Sequence, residues 1–201
     1  QAANWGPYDP GKPSEYGLNL PQGLAVDDSG NLWVADSGNG RILRFPAPFA
    51  EANTPPPGEF RKADLVIGKP NFTATRESRP DPTDVNLSFP AGIAFTVAGH
   101  LLVSDAAFHR VLLFFKPETG FTSGMKASVV FGQSNFTSRT PAASSSDRQH
   151  FNYPLQISVD GGDRLFICDF GLDRLMIMDS VTERPSGYTP EATITSIGAM
   201  G

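Results

Sequence analysis

The sequence predicts an all-β fold built from three repeated four-stranded units. Three observations lead to this prediction: a composition rich in turn-forming residues, short stretches of alternating apolar residues, and one pattern that occurs three times. The chain of 201 residues contains 20 Gly and 18 Pro, and its 15 Phe supply much of the bulk for packing. Such a composition favours many short strands joined by turns.

The repeated pattern runs from a proline to an arginine. In each copy an Asp follows the Pro by 15 residues and an Arg follows the Asp by five, without any insertion. The three copies cover residues 21–41, 90–110 and 154–174. Since one such unit cannot bury its apolar face alone, in-phase copies indicate units that stack on each other.

Each copy predicts four strands in the same order. Alternating apolar residues after the Pro indicate the first strand, and a turn such as Asp28-Ser29-Gly30-Asn31 leads to the second, which ends at the Asp. The Arg opens the third strand. A β-branched segment forms the fourth, at residues 65–68 and 129–132, and with weaker alignment at 194–198. Four antiparallel strands make one blade of a β-propeller, so we predict blades at residues 21–68, 90–132 and 154–201.

An inter-blade segment precedes each blade, at residues 1–20, 69–89 and 133–153. Residues 68–73 and 132–137 share the signature Gly-x-x-Asn-Phe-Thr, and the segments are rich in Pro, Ser, Thr and Asp. This composition predicts surface loops. Ordered loops of this length tend to carry function.

The first copy, Pro-x-Gly-Leu-Ala-Val-Asp…Gly-Asn-Leu-Trp-Val-Ala-Asp-Ser-Gly-Asn-x-Arg-Ile, resembles the NHL repeat. The other two copies are looser, because Phe108-His109 and Leu172-Asp173 replace Asn39-Gly40, and Thr96 and Val97 replace the acidic turn. Many NHL-repeat proteins act through protein contacts. The resemblance therefore implies a non-catalytic binding or scaffolding propeller, of which three blades are half of a six-bladed ring.

Three blades are too few to close a ring, since propellers typically have about four to eight. Each end blade of an open set would expose an apolar face, which favours association. We expect either a homodimer that completes a six-bladed ring or further blades of a longer chain. Joining Gly201 to Gln1 would regenerate the inter-blade signature, so we also expect an integral number of repeats.

The Asp and Arg of each repeat form a candidate ion pair. A carboxylate at the end of one strand and a guanidinium at the start of the next can pair in a bidentate manner across the turn. Because the pair occurs in every blade, we assign it a structural role and not a catalytic one. The three pairs are Asp36 with Arg41, Asp105 with Arg110, and Asp169 with Arg174.

Ligand contacts are predicted on the face where the inter-blade segments and the turns between the two middle strands emerge. The turn residues differ between blades and mix aromatic, amide and acidic groups, which suits a protein, peptide or glycan ligand. The candidates are Ser37, Asn39, Phe108, His109, Phe170 and Asp173. The alternative is a propeller enzyme of the lyase, lactonase or hydrolase kind, with a channel site completed by other blades.

No metal site or cofactor is predicted. NHL-like peptide-amidating lyases place zinc-binding histidines just after the blade's Pro, where this chain has Gln22, Ala91 and Leu155. This difference argues against that lyase activity. Four acidic residues that we expect to be exposed could chelate calcium, but their place in short Asp-Gly and Asp-Ser-Gly sequences favours a role in hairpin turns. They are Asp27, Asp28, Asp160 and Asp163. The only cysteine, Cys168, stands where the other copies have Ala35 and Ser104, so we expect a small buried strand residue.

Charge and hydropathy restrict the partners and the compartment. Sixteen basic against 21 acidic residues give a net charge of −5, which argues against a nucleic acid partner. No apolar run is long enough for a transmembrane helix, so we expect no membrane contact. Residues 1–4 lack the features of a signal peptide, as in a mature secreted or periplasmic chain, which we slightly favour.

Overall fold

The computed structural model describes residues 12–182 and 193–194. Within them lie three antiparallel sheets of four strands each, in the order of the sequence. The first sheet contains β1 (Pro21–Val26), β2 (Leu32–Asp36), β3 (Arg41–Phe45) and β4 (Leu65–Ile67). The second contains β5 (Pro90–Phe95), β6 (Leu101–Asp105), β7 (Arg110–Phe114) and β8 (Val129–Phe131). The third contains β9 (Pro154–Val159), β10 (Leu165–Asp169), β11 (Arg174–Met178) and β12 (Thr193–Ile194).

These sheets confirm the predicted all-β fold and its four-stranded units. Short 3₁₀ turns join the two middle strands of each blade, at Ser37–Asn39, Ala106–Phe108 and Phe170–Leu172, and a fourth such turn spans Glu51–Asn53. Most of the predicted outer strand 194–198, most of segment 1–20 and the join of Gly201 to Gln1 lie outside the described residues. Within the described part of the chain, no helix is long and apolar enough to cross a membrane.

Neighbouring blades are in close contact at the start of the first strand of each blade, β1, β5 and β9, which we call the inner strands. Each inner strand is irregular just after its first residue. In β1, Pro21 pairs with Asp36, and the regular pairing resumes only at Leu24. A Cβ atom at Gly23 would lie 2.1 Å from the carbonyl oxygen of Ala91 in the next blade. The corresponding Cβ at Gly92 would lie 2.6 Å from the carbonyl oxygen of Leu155. Glycine is therefore required here because two backbones touch.

The apolar cores lie between the blades. One cluster combines Trp33 and Ile42 of the first blade with Ile93 and Leu112 of the second. Another combines the second and third blades, and a smaller one lies within the first blade. Since each blade buries its faces against its neighbours, the number of neighbours decides which positions are buried.

The inter-blade segments are more tightly fixed than the predicted surface loops. About half of their described residues are exposed, but Leu87 and Phe151 are buried in the inter-blade cores. Gly132, with φ of 80°, leaves room for the ring of Phe151, because a Cβ there would lie 2.2 Å from its Cδ2 atom. The prediction was therefore incomplete: the segments before the second and third blades are only partly exposed, and each places one large apolar side chain in an inter-blade core just before the next blade.

The predicted burial of Cys168 is wrong. Its side chain is exposed, whereas Ala35 and Ser104 at the same repeat position are fully buried. Those two residues face a following blade in this chain. The third blade has no following blade among the described residues, so the same position lies open.

Candidate functional site

The face that carries the inter-blade segments is organised by the repeated ion pairs. Arginine Nε donates to aspartate Oδ2 at 2.7 Å in Arg41–Asp36, at 3.1 Å in Arg110–Asp105 and at 2.6 Å in Arg174–Asp169. These side chains are almost completely buried. The expected bidentate geometry is wrong, because only Nε–H donates to the carboxylate in each pair.

The remaining N–H groups of each guanidinium bind the inter-blade segments. In the second blade, Arg110 donates to the carbonyl oxygens of Thr83 at 3.0 Å, Asn86 at 2.7 Å and Phe136 at 2.8 Å. The other oxygen of Asp105 accepts the main-chain N–H groups of Ser88 and Phe89. The first and third blades repeat this arrangement, with Ser14, Gly17, Asn19 and Phe72 around the first pair and Ser145, Asp147, His150 and Asn152 around the third.

Each pair is thus a clamp that holds an inter-blade segment on its blade. Burial raises the pKa of the Asp105 carboxyl, whereas the Arg110 guanidinium and two main-chain N–H groups lower it. Burial likewise raises the pKa of Asp169 and lowers that of Arg110. Because each charge is buried, each depends on the other and on its hydrogen bonds.

The clamps bring a group of aromatic rings together on this face. The rings of Phe89 and Tyr153 lie 6.2 Å apart with planes at 29°, and those of Tyr153 and Phe170 lie 6.4 Å apart at 58°. Phe89 and Tyr153 are half-buried, and Phe170 is 62% exposed. We call Phe89, Tyr153 and Phe170 the aromatic arc. Leu20 holds the position of Phe89 and Tyr153 before the first blade and is 63% exposed.

Four residues of the inter-blade segments and of the turns between the middle strands have a strained backbone. Leu20, Tyr153, His109 and Asp173 have φ of 49°, 59°, 54° and 48°, in the left-handed region that favours glycine. Such a conformation costs roughly 1–2 kcal/mol for a residue with a Cβ. Strain of this kind persists only where the surrounding contacts enforce it, and it concentrates at functional sites.

His109 links the turn of the second blade to the arc. Its Nδ1 atom accepts the main-chain N–H of Tyr153 at 3.0 Å, and its carbonyl oxygen accepts Nε2–H of Gln133 at 3.0 Å. Burial lowers the pKa of His109, although Asp169 and Asp105 act in the opposite direction. The neutral ring therefore holds Tyr153 in place through its unprotonated nitrogen.

The six residues predicted to contact a ligand differ in how far the structure exposes them. Ser37, Asn39 and Phe108 are buried: Ser37 Oγ donates to the carbonyl oxygen of Pro90, Asn39 Nδ2 donates to Asp36, and the Phe108 ring lies under the Arg110 guanidinium at 4.9 Å. His109 is half-buried, and Phe170 and Asp173 are exposed. The structure brings His109 and Phe170 together through Tyr153. Ligand contact by any of the six stays a prediction.

The sequence prediction placed the inter-blade segments on this face but did not single out Leu20, Phe89 and Tyr153 as site residues. One signal was available: a large apolar residue directly precedes each blade's Pro, at the end of a segment that is otherwise mostly polar. Its meaning depended on the turn that packs beside it, which the sequence pattern does not show.

Three of the four acidic residues considered for calcium, Asp27, Asp160 and Asp163, have hydrogen-bond partners. Asp27 accepts hydrogen bonds from Ser29, Asn31 and Trp33, and Asp160 pairs with Arg164. In the described part of the chain, no three His, Cys, Asp or Glu residues are grouped as metal ligands. The absence of a cofactor stays a prediction, and calcium stays the weaker alternative to it.

Comparison with known proteins supports the fold. The NHL repeat family model matches residues 18–45, and no curated protein sequence matches the chain. Virginiamycin B lyase from Staphylococcus aureus is similar in structure, with a TM-score of 0.50 and 14% identity over 90% of this chain and 43% of the lyase. A streptogramin B lyase has a TM-score of 0.49 and 12% identity over 87% of this chain and 40% of the lyase. PQQ-bound aldose sugar dehydrogenase from Streptomyces coelicolor has a TM-score of 0.43 and 13% identity over 89% of this chain and 51% of the dehydrogenase.

The comparisons confirm the NHL repeat of the first copy and the propeller fold. The chain spans about 43% of the length of the virginiamycin B lyase that it matches. The number of blades in a complete ring stays a prediction.

Proposed function

We propose that this propeller segment is a binding module that uses the aromatic arc to recognise a protein, peptide or glycan. The observation that carries the proposal is the placement of Phe89, Tyr153 and Phe170 side by side, with Phe170 62% exposed. An exposed aromatic side chain beside two further rings offers a flat apolar surface, which suits sugar C–H faces and apolar side chains alike.

The arc is held in position before any ligand arrives. The Asp105 carboxylate fixes the main chain of Phe89, and His109 fixes that of Tyr153. A surface whose geometry is already set loses less conformational entropy on binding. Exposed Asp173, beside Phe170 in the same turn, provides a carboxylate at the edge of the apolar surface. Aromatic centres with polar rims are the usual anatomy of recognition surfaces.

The charge balance supports the same ligand classes. The chain carries a net charge of −5, and a surface of that sign repels a phosphate backbone. Catalysis of the lyase, lactonase or hydrolase kind, with groups from other blades, stays the alternative prediction.

The test is a binding screen on a peptide array and an oligosaccharide array, followed by calorimetric titration of the hits. We expect Phe170→Ala to weaken a genuine hit at least tenfold, because an aromatic residue at the centre of an interface commonly contributes more than about 1.4 kcal/mol. The change should leave the fold intact, since 62% of the residue's surface is already exposed.

Phe49→Ala is the matched control. Phe49 is 90% exposed and lies between β3 and β4, outside the arc. Its loss should leave affinity unchanged. Equal affinity of the wild type and Phe170→Ala for every hit, or no hit on either array for folded protein, would overturn the proposal.

A further inference from the structure

Gln133 fixes the start of the inter-blade segment that follows the second blade. Its Nε2–H groups donate to the carbonyl oxygens of His109 at 3.0 Å and Thr140 at 2.8 Å, and its Oε1 atom accepts the main-chain N–H of Thr140 at 2.9 Å. Gln133 is 7% exposed. A neutral side chain with a partner for both of its polar atoms therefore fills this position of the repeat.

A cation takes the same position in the segment that follows the first blade. Lys69 follows Gly68 as Gln133 follows Gly132, and it is 6% exposed. Within the described part of the chain, however, its ammonium group has no hydrogen bond and no ion pair. Burying an unpaired charge is unfavourable, so the fold alone does not explain a lysine here. An anionic group of a ligand would supply the missing partner.

A second cation lies near Lys69. Arg76 follows Lys69 by seven residues, as Thr140 follows Gln133, so a charged residue again replaces a neutral one. Arg76 is exposed, and its one hydrogen bond among the described residues runs from Nη2 to Oγ of Ser88 at 3.5 Å. Ser88 is 5% exposed, and within the same residues its hydroxyl hydrogen has no acceptor. The guanidinium and the hydroxyl therefore both have hydrogens left to donate to a ligand.

The first of these two segments also lacks the imidazole that stands beside the second. Gly40 takes the place of His109 in the repeat. A Cβ atom at Gly40 would lie 3.6 Å from Cδ of Arg76, so the arginine stem lies beside the position where the imidazole begins in the second blade. Three neutral side chains around the second segment are thus replaced by two cations and a glycine around the first.

The charges near Lys69 leave one positive charge unmatched. Burial lowers the pKa of Lys69, Glu77 raises it, Arg76 and Arg41 lower it further, and Asp105 raises it. Arg41 and Asp105 each belong to a clamp, where a partner of opposite charge binds them. Two cations, Lys69 and Arg76, then remain beside one anion, Glu77. A carboxylate matches this excess better than a phosphate group, which carries about 1.5–2 negative charges at neutral pH.

We propose that Lys69, Arg76 and Ser88 form a site for a single carboxylate group of a ligand. The planar guanidinium of Arg76 has the geometry that binds a carboxylate through two N–H groups. Lys69 adds a compact positive charge, and the hydroxyl of Ser88 adds a third donor. No residue of the aromatic arc belongs to this site, so the proposal goes beyond recognition by the arc and does not rest on it.

The test is an NMR titration of the folded chain with sodium acetate, at an ionic strength held constant with sodium chloride. Acetate is the simplest carboxylate and has no aromatic or sugar surface for the arc to bind. We expect the amide signals of residues 69, 76 and 88 to shift and to reach saturation. Sodium phosphate, titrated in the same way, should bind more weakly than acetate.

Lys69→Gln removes the cation and installs the residue of the second segment. Its amide can bond the main chain of residues 40 and 76, as Gln133 bonds that of residues 109 and 140, so the variant should fold. We expect acetate to bind about tenfold more weakly or worse, because a hydrogen bond to a charged group is lost. Lys62→Gln is the matched control, since it removes an exposed lysine from the connection between β3 and β4 and should leave the affinity unchanged.

Two results would overturn the proposal. Shifts that do not saturate, or equal acetate affinity in the wild type and Lys69→Gln, would show that these residues form no anion site. Tighter binding of phosphate than of acetate would show that the site is not one for a carboxylate. Because the titration uses no ligand of the arc, its failure leaves the result for Phe170→Ala unaffected, and the two proposals can fail separately.

Discussion

Replacing Arg110 by Met is the most direct test of the clamp. Methionine keeps much of the apolar stem but removes the Nε–Oδ2 contact of 3.1 Å with Asp105 and the hydrogen bonds to Thr83, Asn86 and Phe136. Three carbonyl oxygens then lose the Arg110 donor, and the buried Asp105 carboxylate keeps only the N–H groups of Ser88 and Phe89. The change should loosen the segments before and after the second blade.

The expected loss is large relative to total stability. Breaking a fully buried ion pair by removing one partner costs about 3–5 kcal/mol, and a folded domain has about 5–15 kcal/mol in all. The separate hydrogen bonds are part of the same unit and are not added to this figure. Arg110→Met combined with Asp105→Asn should recover part of the loss, because the unpaired charge is removed while an amide oxygen still accepts the N–H groups of Ser88 and Phe89.

Urea denaturation followed by the fluorescence of buried Trp33 measures the effect. With a slope of about 1–3 kcal/mol per molar urea, a loss of about 3–5 kcal/mol should lower the midpoint of Arg110→Met by about 1–5 M. Lys126→Met is the matched control in the same blade. Its 3.0 Å pair with Asp84 is 72% and 32% exposed, and exposed pairs contribute about 0–1 kcal/mol.

Equal midpoint shifts in Arg110→Met and Lys126→Met would refute the clamp as the main restraint on these segments. A double variant less stable than Arg110→Met would refute the argument from an unpaired buried charge.

Three further predictions concern the blade interface, the arc and the inter-blade segments. Gly92→Ala should lower the free energy of unfolding by about 1–3 kcal/mol because its Cβ would overlap the next blade, whereas Gly161→Ala, with open space around it, should be neutral or slightly stabilising in the same urea titration. Burial lowers the pKa of His109 from its ordinary value of 6.5, so the unfolded chain binds more protons and stability should fall as pH drops below about 6.5. His109→Gly, which suits the φ of 54°, should flatten that dependence in urea midpoints taken from about pH 7.5 to 5.5. Phe151→Ala should cost about 3–5 kcal/mol and speed amide exchange across residues 133–153, and protection equal to the wild type would contradict its role as the buried anchor.

The sequence predicted the strands because their signals are local. Alternating apolar residues after Pro21, Pro90 and Pro154 and the glycine-containing turns near them depend on residues next to each other in the chain. The fixed separation of Asp and Arg also indicated their pairing across one turn. The structure places Asp36 opposite Arg41 and Asp105 opposite Arg110 in adjacent strands.

The clamp's other contacts could not be predicted in this way. Arg110 binds carbonyl oxygens 24–27 residues away, in segments with no regular secondary structure. Every residue has a backbone carbonyl group, so the residue pattern does not indicate which carbonyl groups a guanidinium will bind. The predicted bidentate pair was wrong because the other guanidinium N–H groups bind these carbonyl oxygens and only Nε–H binds the carboxylate.

The sequence by itself determined the repeat, its four strands and the Asp–Arg pair in each blade. Only the tertiary structure decided that Phe89, Tyr153 and Phe170 meet on one face, and that Cys168 is exposed where Ala35 and Ser104 are buried. The physical reason is that strand formation depends on neighbours in sequence, whereas burial depends on the blade that packs alongside.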